Sequence, residues 1–164
     1  LLPDKHHEFT MGLLEKIQKK MGLWILGQVI LSVAIFLFTW IGLSILGIKY
    51  ALFLALLAGL LEVVPYIGPF LSAVPGVLFA FIQSPPLAIA VAILYLLIQK
   101  IEGYVLVPKI MEKTVGTSPL VVLVALLVGF KLAGVVGLLI AVPLVSAFTV
   151  VVNEFWSSKT IAEP

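Results

Sequence analysis

Glu62-Val63-Val64-Pro65-Tyr66-Ile67-Gly68-Pro69 is the stretch on which the reading of this chain turns. Glu62 is the only charged residue between Lys49 and Lys100. A carboxylate in lipid costs several kcal/mol unless it is paired, protonated or turned to water. Pro65, Gly68 and Pro69 then break the helix, and broken backbone at membrane depth is tolerated only where protein or a cavity surrounds it. An acid beside such a break is the sequence form of a membrane transport site.

Outward from the break, residues 50–82 are apolar and divide into helices near 50–64 and 69–82. Each would be about 20–22 Å long, short of a full span, so they read as a hairpin of short helices. Gln83-Ser84-Pro85-Pro86 closes it with turn chemistry. Residues 22–48 carry no charge and form a full transmembrane helix, ended by Gly47, with Lys49-Tyr50 at the far interface. Residues 86–107 make another span between Pro86 and Pro108. After a polar connector, Lys109 to Ser118, come a short helix at 119–130, a turn from Lys131 to Gly134, and a longer helix expected to kink at Pro143. Residues 1–22 repeat Leu13, Ile17 and Met21 at helical spacing beside Glu15, Lys16, Lys19 and Lys20, which predicts an amphipathic interfacial segment.

The expected fold is therefore an all-α polytopic membrane protein of about six transmembrane or half-membrane helices, with two short-helix hairpins, one broken at Pro65–Pro69. Residues 23–153 form its transmembrane domain and 154–164 a tail. Composition agrees: hydrophobic residues are 62% of the chain and mean hydropathy is +1.26. All ten basic residues are lysine and there is no cysteine. No basic stripe suggests nucleic acid, no thiolate or paired-His spacing suggests a metal, and His6-His7 lack further ligands nearby. No phosphate loop or nucleophile–base pair suggests an enzyme, and no cofactor is expected. The positive-inside rule places Lys16, Lys19 and Lys20, the Lys100–Lys113 region and Lys159 on the cytoplasmic side, with Lys49 outside. The chain opens on Leu1, not Met, and reads as a fragment of a longer protein.

Glu62, with Pro65, Tyr66, Gly68 and Pro69, is the candidate coupling site: an acid that gains and loses a proton or cation, beside free backbone carbonyls and amides. The other reading of Glu62 is an acid that locks the hairpin. Tyr95, Gln99 and Glu102 share one helix face, either as a polar lining of a solute route or as an ordinary helix end rising into headgroups. Lys131 is a further route candidate, or an exposed residue at the second hairpin's tip. Gly59, Gly129, Gly134, Gly137 and Pro143 are candidates for packing and gating. Ala55-Leu56-Leu57-Ala58-Gly59 resembles Ala125-Leu126-Leu127-Val128-Gly129, and Ala73-Val74-Pro75 resembles Ala141-Val142-Pro143, an internal repeat or a chance match.

The motifs also resemble a family. Glu-x-x-Pro-Tyr-x-Gly-Pro at Glu62–Pro69 is followed by Gln99-Lys100-Ile101-Glu102-Gly103 with Val107-Pro108-Lys109-Ile110-Met111. Gly116-Thr117-Ser118-Pro119-Leu120 and Ala141-Val142-Pro143-Leu144 complete the set. In order and spacing they resemble the autoinducer-2 exporter family of bacterial membrane permeases. The resemblance implies the C-terminal half of a homo-oligomeric inner-membrane protein whose partners are the lipid bilayer, a small polar solute, and H+ or Na+. Members are described as exporters of autoinducer-2, some as sodium–proton antiporters. Tyr104 stands where the family usually has Asn, and Gly129-Phe130-Lys131 where its turn is apolar or glycine-rich. The function expected is solute export coupled to protons or sodium. The alternatives are a cation–proton antiporter and a non-transporting scaffold.

Overall fold

The computed structural model describes residues 4–65, 67–111 and 119–160. Tyr66, Gly116, Thr117 and Ser118 lie outside them. Among the described residues the chain is all helix: α1 (Asp4–Ile45), α2 (Ala51–Leu61), α3 (Ile67–Gln83), α4 (Pro85–Ile101), α5 (Val107–Met111) and α6 (Pro119–Thr160). A π-helical segment, Glu102–Leu106, joins α4 to α5. Three stretches are long and apolar enough to cross a membrane: Met11–Ile45, Pro85–Ile110 and Leu120–Val152. Leu60, Ile82 and Ile89 are exposed. Outward faces of this kind suit lipid, not water.

The chain forms two compact units, Leu26–Glu112 and Leu1–Ile25 with Lys113–Pro164. In the first, α1 ends at Gly47, whose φ of 71° suits glycine. The Ile48 N–H closes the end on the Leu43 carbonyl. The chain then enters the expected hairpin. At the end nearest Gly47 is a core of Leu43, Ile48, Ala51, Leu54, Ala80, Ala88, Val91 and Tyr95. Further along, Ile35, Ala58 and Ile98 meet. Rising numbers on α1 thus pair with falling numbers on α4, so these helices run antiparallel.

Between lipid-embedded helices apolar burial gains little, and small residues that allow close approach hold the packing. Ala51, Ala55 and Gly59, four apart on α2, are buried, and α3 carries small buried residues at the same spacing, Gly68, Ser72, Gly76 and Ala80. A Cβ on Gly59 would lie 2.9 Å from both the Ser32 carbonyl and Phe36 Cβ, so α1 and α2 touch nearly backbone to backbone.

In the second unit α6 folds back on itself. Ala133 and Gly134 are its non-helical residues, with Gly134 at φ 57°, ψ −136°. Gly129 and Gly137 would be about 12 Å apart along a straight helix. Instead a Cβ on either would collide with the other's carbonyl. This is the second hairpin, turning where the sequence predicts. Gly137 and Ala141 are buried, and Ala133 lies in the turn. Pro143 lies within α6 with helical dihedrals. α1 runs unbroken from Asp4 into the first span. Each half of the sequence repeat falls in one hairpin, with its Ala-Val-Pro in the second helix.

Candidate functional site

The first hairpin's tip is built by the acid-and-break motif. Glu62 closes α2 in helical conformation, its N–H on the Ala58 carbonyl. The N–H groups of Val63 and Val64 bond back to Leu60 and Leu61. Those of Ile67 and Gly68 bond to Pro65 and Val64. Among the described residues of the break these amides are therefore consumed inside the turn. A Cβ on Gly68 would strike the Leu61 carbonyl, so glycine is what allows the turn to close. Pro65 is half-buried, and the Pro69 carbonyl accepts from Ser72 Oγ at 3.0 Å.

Glu62 is fully buried (0% exposed). Its carboxyl lies within interacting reach of Glu102, which is also buried, at the end of α4. No hydrogen bond of good geometry reaches either Glu62 carboxyl oxygen, and Glu102 Oε2 is likewise unpartnered. Two carboxyls from different elements thus share one buried place. Glu102 begins the π segment, and its carbonyl accepts from the Val107 N–H one residue later than α-helical geometry would use. Such a widened turn is common at functional sites.

Of the predicted face on α4, Tyr95 and Glu102 are buried and Gln99 is half-buried. The ordinary-helix-end reading does not hold for Glu102. Tyr95 packs over Gly76, where a Cβ would lie 2.7 Å from its Oη, and that hydroxyl has no partner. Tyr104 points outward and Lys100 Nζ sits 5.5 Å over its ring. Lys131 is exposed and belongs to the other unit, as do Gly129, Gly134, Gly137 and Pro143.

A face of α1 was not anticipated. Gln28, Ser32 and Thr39 follow at helical spacing. Gln28 and Thr39 are buried, and each of the three keeps an unpartnered oxygen. Gln28 Nε2 donates to the Glu62 backbone carbonyl at 2.5 Å. Its readable signal was three polar residues on one side of an uncharged span. Among the described residues no cluster of acids, His or Cys forms a metal site.

Comparison with known proteins gives this site a context. The family model described as AI-2E family transporter matches residues 1–157. YrrI of Bacillus subtilis (strain 168) is 32% identical over 160 residues, covering 98% of this chain and 45% of YrrI. YtvI of the same organism is 35% identical over 170 residues, covering 99% of this chain and 45% of YtvI. The protein named AI-2 transport protein TqsA, of Escherichia coli (strain K12), is 32% identical over 133 residues, 80% of this chain and 39% of TqsA. The chain spans less than half the length of these relatives.

Proposed function

This chain belongs to the AI-2E transporter family, and from that premise we propose that it is the C-terminal part of a secondary transporter. The transporter exports a small polar solute such as autoinducer-2 and is driven by protons or sodium. The Glu62–Glu102 pair holds the coupling ion. The observation that carries this reading is a pair of buried carboxyls with unpartnered oxygens, one at the tip of a short-helix hairpin and one at the end of α4. At 11 residues, α2 is about 16 Å long against a hydrocarbon core of about 30 Å. Two negative charges so placed require a proton or a cation between them. Loading and release of that ion changes the charge at the tip and so the side to which the hairpin opens.

The full transporter sits in the bacterial inner membrane as a homo-oligomer, with the N-terminal segment and C-terminal tail cytoplasmic. Tyr95 and Gln99 line a solute route within the Leu26–Glu112 unit, and Gly59 supplies packing there. In the other unit Gly129, Gly134 and Gly137 supply the packing of the second hairpin. The test uses proteoliposomes of the full-length parent with an internal pH dye. Proton movement triggered by autoinducer-2 supports the exporter. Movement triggered by sodium alone supports a cation–proton antiporter. No movement with either, in folded and oriented protein, contradicts coupled transport and favours a scaffold.

A further inference from the structure

Within the Leu26–Glu112 unit, one polar contact is not required by the carboxyl pair itself. Gln28 on α1 is 4% exposed, and its side-chain amide donates to the backbone carbonyl of Glu62. That carbonyl ends α2, where a helix leaves its last C=O groups without partners of their own. An apolar residue at 28 would remove this buried hydrogen bond. The contact is firmly seated, because α1 and α2 touch at Gly59 against Ser32 and Phe36. Gln28 Oε1, Ser32 Oγ and both Glu62 carboxyl oxygens remain buried and unpartnered.

We propose that Gln28 is the positioning residue for Glu62, tying the acid's backbone to α1 so that its carboxyl stays opposed to Glu102. Any movement of the hairpin tip along α1 must break and remake this bond. The proposal rests on the reading of Glu62 and Glu102 as the coupling site.

The test compares full-length parent protein, Gln28→Leu, Gln28→Glu and Glu62→Gln in proteoliposomes under an imposed pH gradient. Gln28→Leu is expected to lower proton flux about tenfold at every pH, the order of one buried hydrogen bond left unmade, in protein that still folds. A carboxylic acid donates only while protonated, so Gln28→Glu restores flux on the acid side and loses it on the alkaline side. Wild-type flux and pH profile in Gln28→Leu would overturn the proposal. So would an equal fall of both variants at all pH values, the mark of a packing contact alone. Loss in Glu62→Gln with normal Gln28→Leu removes only the positioning role. Full flux in Glu62→Gln removes the coupling site and the proposal with it. The infrared carboxyl band that disappears in Glu62→Gln gives a readout free of transport. Its titration midpoint shifts in Gln28→Leu if Gln28 positions the acid, and stays if it does not.

Discussion

Glu62 and Glu102 bring their carboxyl groups together from the tip of a short-helix hairpin and from the end of a spanning helix, both buried. Two carboxylates cannot both stay charged in so dry a place, so the pair stays buried only with at least one carboxyl neutral or a cation beside it.

The packing of α1 on α2 leaves no room for a side chain at Gly59. Gly59→Ala is expected to destabilise by about 1–3 kcal/mol, since its Cβ would press on the Ser32 carbonyl and Phe36 Cβ. Gly103→Ala, with open space around its Cβ, should not destabilise. Thermal unfolding of the full-length parent in lipid separates them. Equal melting temperatures would refute the close contact.

The second hairpin depends on Gly134. Its φ of 57° with ψ −136° is a conformation that side chains resist, and Gly134→Ala should cost about 1–3 kcal/mol. Gly137→Ala should cost at least as much, because its Cβ would meet the Gly129 carbonyl. Gly22→Ala, where nothing lies within 4 Å, serves as the control in the same melting series.

Orientation is testable because this chain has no cysteine. In a parent otherwise free of cysteine, Ser84→Cys should react with an impermeant thiol reagent added outside whole cells. Lys109→Cys should react only after the membrane is opened. The reverse pattern would invert the topology.

The hairpins were legible because their signals are local. Pro65 to Pro69 and Ala133-Gly134 stop helices by backbone geometry, and a single acid in a long apolar run stands out. Glu102 was ambiguous because it lies two residues from Lys100 near a helix end, a pattern shared with ordinary interfacial residues. Only the antiparallel approach of α4 to α1 and the hairpin brings it inward. Gln28 was harder still. A neutral amide in a span is unremarkable until a carbonyl from another element is found beside it. The amides of Val63, Val64, Ile67 and Gly68 are not free as expected, for a reason the sequence hides: the turn is tight enough to bond these N–H groups itself.

The central claim is that the carboxyl pair carries the coupling ion. The most direct test is proton flux in proteoliposomes of the full-length parent, comparing wild type with Glu62→Gln and Glu102→Gln. The account predicts that both variants fold, melting at or above the wild-type temperature because a buried acid has become neutral. It predicts that Glu62→Gln abolishes flux and that Glu102→Gln reduces it and shifts its pH dependence. Undiminished flux in a well-folded Glu62→Gln variant would contradict the account and leave Glu62 as a lock on the hairpin.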